Sequence, residues 1–154
     1  MLRAEPAQIK TAERFDRLIG VLKNRPGLFR KAPRPRGIYL WGEAGRGKTL
    51  LMDLFFGLAP EPRKRRVHFH AFMTETHERL KDFKEARARQ PIQALAESIA
   101  SEARLLCLDE LQIKDIADAM IVARLFSELI ARGTVVVTTS NSPPERVYWK
   151  GLDS

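Results

Sequence analysis

Eight consecutive residues, Gly42-Glu43-Ala44-Gly45-Arg46-Gly47-Lys48-Thr49, fit the spacing G-x-x-x-x-G-K-[ST]. Each fixed position has a separate physical task. The glycines open backbone angles closed to other residues and let the main chain approach an anion closely. The N–H groups of such a loop, together with the N-terminus of a following helix, form a concave anion site. Lys48 brings a positive charge to the outer phosphates of a bound nucleotide, and Thr49 offers its hydroxyl to Mg²⁺. Leu50, next in the chain, completes the candidate phosphate-binding set. At average residue usage this pattern arises by chance about once in a few hundred chains of this size.

Two further sets of polar residues stand where such a site needs them. Asp109 and Glu110 follow directly on the apolar run Leu105-Leu106-Cys107-Leu108. An acid at the end of a buried strand, in a chain with a P-loop, reads as Walker B. Asp109 is expected to hold Mg²⁺, directly or through water, and Glu110 to orient and deprotonate an attacking water. Neighbours on an extended strand point opposite ways, which allows two separate roles. Asn141 closes the run Thr138-Thr139-Ser140-Asn141, the sensor position from which an amide can hydrogen-bond a γ-phosphate or the lytic water. Alternative readings are a helix-capping acid for Asp109 and a turn-forming Asn before Pro143 for Asn141.

These residues need elements to hold them. Ile38-Tyr39-Leu40-Trp41 reads as a strand before the loop, and residues 50–56 as a helix after it, ended by Gly57. Residues 67–71 read as a second strand, followed by a helix carrying Met73, His77, Leu80 and Phe83. Pro91 opens another helix, with Ile92, Leu95, Ala96, Ile99, Ala100 and Ala103 on one face. Residues 105–108 suit a parallel strand covered on both sides. Residues 115–132 form a helix whose predicted stripe is Ile116, Ala119, Met120, Ala123, Phe126, Leu129 and Ile130, with Gly133 at its C-terminal stop. Residues 134–139, rich in β-branched side chains, make a fourth strand. Alternating strands and helices give an α/β fold with a parallel sheet, and ligands of such sheets bind at the carboxyl ends of strands. Residues 1–35 are set apart as an amphipathic helix over residues 6–24, with Ile9, Phe15, Leu18 and Leu22 on one stripe, and a basic linker. Residues 36–154 form the nucleotide-binding unit.

The chain has 154 residues, with 44% hydrophobic and 30% charged side chains, the profile of a globular domain. No apolar run approaches the roughly 20 residues that span a bilayer, and no secretory h-region is visible. The single cysteine, Cys107, lies in an apolar run and reads as a buried structural thiol. The net charge is +8. Its clusters, Arg30, Lys31, Arg34, Arg36 and Arg63-Lys64-Arg65-Arg66, read as solvated loop charge before strands, with a nucleic-acid or acidic-partner patch as the alternative. His68, His70 and His77 make a weak metal set, and structural or surface histidines are the better reading.

Together these residues resemble the AAA+ ATPases of the ZapE and ATPase-family-gene-one type. The resemblance runs from Gly37-Ile38-Tyr39-Leu40-Trp41-Gly42 through the P-loop, Met52-Asp53-Leu54-Phe55-Phe56, His68-Phe69-His70-Ala71-Phe72-Met73, Leu106-Cys107-Leu108-Asp109-Glu110, Asp115-Ile116-Ala117-Asp118-Ala119-Met120 and Thr139-Ser140-Asn141-Ser142-Pro143-Pro144. The family usually has Phe where Leu108 and Leu111 stand, a mild apolar change. The resemblance implies a P-loop NTPase sheet of AAA+ type and hydrolysis of ATP with Mg²⁺. It also implies mechanical work on a protein partner, a division-ring component in bacteria, with homo-oligomers in full-length members. The cytoplasm is implied for bacterial members and the mitochondrion for their relatives.

Family members continue well beyond the position of Ser154, through a fifth core strand. The expectation is therefore a core truncated after the fourth strand, with an open edge on the P-loop strand. Such a chain is expected to bind nucleotide better than it hydrolyses it. Three other activities stand beside hydrolysis coupled to protein remodelling. One is a nucleic-acid-handling ATPase like a helicase loader. Another is a P-loop kinase, which Glu110 beside Asp109 disfavours. The last is a nucleotide-dependent module without turnover. GTP is disfavoured because no Asn-Lys-x-Asp string occurs.

Overall fold

The computed structural model describes residues 38–41 and 46–141, with side chains described from Gly47 onward. The expected N-terminal helix, the linker with its basic residues, Gly42, Glu43, Ala44, Gly45 and residues 142–154 lie outside the described residues.

Three apolar runs, β1 (Ile38–Trp41), β3 (Leu105–Asp109) and β4 (Val135–Ser140), form strands, joined by the more polar β2 (Lys64–His68). The sheet order is β1-β4-β3-β2, and every pairing is parallel. Every residue of β4 is buried, as are the first four of β3, which is what helices on both faces require of a central strand. On one face, α1 (Arg46–Leu58) packs Met52 and Phe55 against Leu105, Cys107, Val135 and Val137. On the other, α2 (Phe69–Glu85), α3 (Pro91–Glu102) and α4 (Ile116–Ala131) enclose Leu106, Leu108 and Val136. Alternation along β3 and β4 thus divides the apolar residues into two cores, one per face.

Several boundaries differ from the sequence reading, each for a local reason. The second strand ends at His68 rather than Ala71, because His68 caps α2. Its Nδ1 accepts the His70 N–H at 3.1 Å, and Phe69, Phe72 and Met73 recur at helical spacing with their side chains buried. It also begins at Lys64, so most of the basic run lies in the strand instead of a loop. Helix α1 passes through Gly57, where an added Cβ would meet nothing within 4 Å; the helix ends one residue later, ahead of Pro60. In α4 the buried stripe is Ala119, Val122, Leu125, Phe126 and Leu129. Ile116 and Met120, placed in the expected stripe, are 65% and 61% exposed. Asp115 caps α4 by accepting the Asp118 N–H at 2.8 Å, and Gly133, at φ 91°, supplies the left-handed residue after Arg132.

Candidate functional site

The register aligns the carboxyl ends of all four strands. Trp41 pairs with Ser140, and His68 with Asp109. The carboxyl ends of β1, β2, β3 and β4 therefore lie along one edge of the sheet, where ligands of parallel sheets bind.

The P-loop's second half opens α1: Arg46, Gly47, Lys48, Thr49 and Leu50 form its first turn. This turn points main-chain N–H groups and the positive end of the helix dipole at the strand edge. Lys48 Nζ donates to Asn141 Oδ1 at 2.9 Å, joining residues 93 positions apart. Burial pulls the Lys48 pKa below its ordinary value, while the charge of Glu110 works in the opposite direction. Thr49 and Leu50 are exposed, Leu50 by 58%.

The acidic pair is arranged differently from an extended strand. Strand β3 ends at Asp109, and Glu110 turns out of it with φ 57°, a left-handed conformation uncommon for a residue with a side chain. Three bonds latch this turn onto β4. The Glu110 N–H donates to Thr139 Oγ1 at 3.0 Å, the Leu111 N–H to the Thr139 carbonyl at 2.7 Å, and Ser140 Oγ to the Leu111 carbonyl at 2.9 Å. Asp109 and Glu110 therefore separate through a backbone turn held by side-chain and main-chain bonds, not through strand alternation. The Glu110 carboxylate projects outward, with its side chain 70% exposed, and meets His68 Nε2 at 2.8 Å. Because His68 Nδ1 already accepts a main-chain N–H, Nε2 carries the proton and donates to Glu110.

Asp109 is held by an arginine that the motif reading did not place in the site. Arg66 Nε donates to Asp109 Oδ2 at 2.7 Å and Nη2 to Oδ1 at 3.1 Å, while Nη1 pairs with Asp53 of α1. The Asp109 hydrogen bond, reinforced by Asp53, raises the Arg66 pKa above its already high value. The other cations of the basic run also have partners. Lys64 Nζ donates to the Phe56 carbonyl at 2.6 Å and the Ala59 carbonyl at 3.1 Å, and Arg65 forms a fork with Glu75. Solvated loop charge is thus the wrong description of Lys64, Arg65 and Arg66. The signal available in the sequence was alternation: Lys64, Arg66 and His68 fall on one face of a strand, the face of α1 and the acidic pair.

The three histidines do not converge. His68 meets Glu110, and His77 Nε2 meets Asp118 Oδ1 at 2.9 Å. Among the described residues no three His, Cys, Asp or Glu side chains gather as a metal cage. The hydroxyl of Thr49 and the carboxylate of Asp109 are hard oxygens of the kind Mg²⁺ takes, and both oxygens of Asp109 are engaged by Arg66. No helix of the described residues is long and apolar enough to cross a membrane.

Comparison with known proteins agrees with this geometry. The family model of the AFG1-like ATPase matches residues 3–154. The chain is 46% identical over 127 residues to Lactation elevated protein 1 homolog B of Danio rerio, covering 77% of this chain and 25% of that protein. It is 45% identical over 117 residues to Cell division protein ZapE of Escherichia coli K12, covering 76% of this chain and 31% of that protein. The chain thus spans roughly a quarter to a third of the relatives it matches. Among solved structures, domain III of the Thermotoga maritima replication initiation protein DnaA superposes with TM-score 0.59 at 20% identity, covering 88% of this chain and 53% of that one. DnaI superposes with TM-score 0.57 at 17% identity, covering 91% of this chain and 69% of that one. These likenesses show the fold, a parallel sheet with helices packed on both faces. By a family match over nearly its whole length, the chain belongs to the AFG1-like ATPase family.

Proposed function

We propose that this chain carries the nucleotide-binding and hydrolytic residues of a Mg²⁺-dependent ATPase, with residues 36–154 as its core and residues 1–35 as a preceding helix and basic linker. The observation that carries the reading is convergence. Lys48, Asn141, Asp109 and Glu110 come from three separate parts of the chain and meet at the carboxyl edge of one parallel sheet.

In this reading the loop residues Gly42, Glu43, Ala44, Gly45, Arg46, Gly47, Lys48, Thr49 and Leu50 cradle the phosphates, with Lys48 and the helix N-terminus supplying positive potential. Thr49 and Asp109 would hold Mg²⁺, which would supply positive charge to offset that of the phosphates. The exposed Glu110 carboxylate orients water for attack on the γ-phosphorus and takes its proton, and Asn141 bonds the γ-phosphate. Lys48 donates to Asn141 and would exchange that amide for phosphate oxygens when ATP enters.

The partner proposed is a protein, remodelled at the expense of ATP. The ZapE relative is named for cell division, which makes a division component in a bacterial cytoplasm the first partner to test, with homo-oligomers of the full-length protein as the working assembly. Nucleic acid is the less favoured partner at β2, whose cations Lys64, Arg65 and Arg66 are engaged with carboxylates and carbonyls of the same chain. The test is phosphate release from Mg·ATP by the wild type and Glu110→Gln, alongside nucleotide binding. The reading expects Glu110→Gln to bind normally and lose turnover by about 10²–10⁴-fold, the usual worth of a general base. Equal turnover in both proteins removes Glu110 from the role.

A further inference from the structure

Alternation along β2 sets Arg66 between Lys64, which closes the C-terminal end of α1, and His68, which meets Glu110. Arg66 lies where two carboxylates approach the same point: Asp109 at the end of β3, and Asp53 on α1, four residues beyond Thr49. Both oxygens of Asp109 are taken by the guanidinium, at 2.7 and 3.1 Å, and the third nitrogen reaches Asp53. The Arg66 and Asp109 side chains are each only 22% exposed, so water screens the pair less than at an open surface.

Two adjacent hard-oxygen carboxylates, one partly shielded (Asp109) and one 57% exposed (Asp53), are donors a divalent cation takes when nothing else neutralises them. A guanidinium prevents this in a particular way. It stays protonated at every pH the fold tolerates, and its planar fork matches a carboxylate bidentately. A cation entering at Asp109 would have to displace at least one of these bonds and would meet the fixed positive charge of Arg66 at close range. A lysine, with one point charge, would cover the two carboxylates less completely.

We propose that Arg66 is a positioning residue that neutralises Asp109 and Asp53 together and thereby denies the nucleotide-free protein a divalent-cation site, so that Mg²⁺ is taken up only with the phosphates of the nucleotide. The inference rests on the reading of Asp109 as the metal-side carboxylate. Its consequence is a coupling: metal affinity of the empty site is held low, and nucleotide supplies the missing oxygens.

The experiment is a titration of the full 154-residue chain with Mn²⁺ alone, followed by the loss of the free-ion paramagnetic resonance signal. Proteins compared are the wild type, Arg66→Met, Arg66→Lys and Arg66→Met/Asp109→Asn. Wild type is expected to show no saturable uptake below the millimolar range. Arg66→Met should gain one site at least tenfold tighter, Arg66→Lys a smaller gain, and the double variant should lose what Arg66→Met gained. A merely structural tie between α1 and β3 would lower thermal stability without creating Mn²⁺ uptake. A folded Arg66→Met protein that binds Mn²⁺ no better than wild type overturns the proposal, as does tight uptake by wild type itself. Should Arg66→Met fail to fold, Arg66→Lys decides, and uptake equal to wild type in that variant overturns it equally. A parallel titration of wild type with Mn²⁺ plus a non-hydrolysable ATP analogue separates the two readings. Absent nucleotide binding sinks the site assignment, whereas the nucleotide-free comparison bears on Arg66 alone.

Discussion

Lys48 Nζ and Asn141 Oδ1 stand 2.9 Å apart across 93 positions of sequence. The bond joins the first turn of the helix after β1 to the residue that follows β4, and β1 and β4 are neighbours in the sheet. Lys48 is thereby held, partly buried, at the mouth of the candidate phosphate site. Its pKa lies below the ordinary value because the ammonium has lost water, and approach of an anion should restore it. Asn141→Ala should leave nucleotide binding within about tenfold, since one hydrogen bond to a charged group is worth about 1.5–3 kcal/mol and part of that is recovered by phosphate. Turnover should fall further than affinity. Equal losses in the two would mean Asn141 acts in ground-state binding alone.

The left-handed turn at Glu110 predicts a stability order. At φ 57° a side chain costs roughly 1–2 kcal/mol that glycine does not. Glu110→Gly should therefore be more stable than Glu110→Ala by about 1 kcal/mol, read from urea unfolding midpoints. Equal midpoints would show that the turn relaxes in solution.

Thr139 Oγ1 is the acceptor of the Glu110 N–H, and Thr139 is buried. Thr139→Val keeps the shape and leaves a main-chain donor without its partner, at a cost of about 1–3 kcal/mol. Turnover should fall more than nucleotide affinity, because the bond that is lost holds Glu110. A variant with unchanged melting temperature and unchanged turnover would remove Thr139 from the account of how Glu110 is held.

Glu75 gives a pH dependence. The hydrogen bond from Arg65 holds its carboxyl below the ordinary 4.5, against the opposing effect of burial. A carboxyl with a depressed folded pKa contributes stability fully above its unfolded pKa and loses it as pH falls through the folded value. The wild type should therefore exceed Glu75→Gln in stability at neutral pH, with the gap closing below about pH 4.5. A gap constant from pH 7 to pH 3 contradicts the ion-pair account of Arg65.

Cys107 sits in β3 with no exposed surface, and burial pushes its thiol pKa up to about 12. It should react with a disulfide reagent only as fast as the chain opens, and promptly in denaturant. Fast reaction of the folded protein would mean that β3 is not the buried central strand described here.

Much of this arrangement was legible in the sequence because the signals were local. Apolar runs fixed β1, β3 and β4, Pro91 and Asp115 marked helix starts, and acids at strand ends pointed to the carboxyl edge. What was missed depended on contacts between distant residues. The basic run 63–66 looked like loop charge because its counterions, Asp53, Glu75 and Asp109, are brought near only by folding. His68 looked like a strand-interior residue because its role as the cap of α2 depends on Phe69 and Phe72 turning into a helix over the core. The α4 stripe rotated because Val122 and Leu125 face the sheet side, leaving Met120 outward. Nothing local in the sequence marks the left-handed turn at Glu110, because its N–H is held by Thr139 on the neighbouring strand.

A P-loop that binds phosphate requires Lys48 to serve a nucleotide. The measurement is titration of the purified chain with a fluorescent ATP analogue, with and without Mg²⁺, for wild type and Lys48→Ala. The account predicts saturable, Mg²⁺-strengthened binding by wild type and a loss of about 10–100-fold in the variant, the worth of charge-assisted bonds to phosphate. Wild-type and Lys48→Ala proteins that are both folded by circular dichroism and bind equally, or not at all, would contradict it.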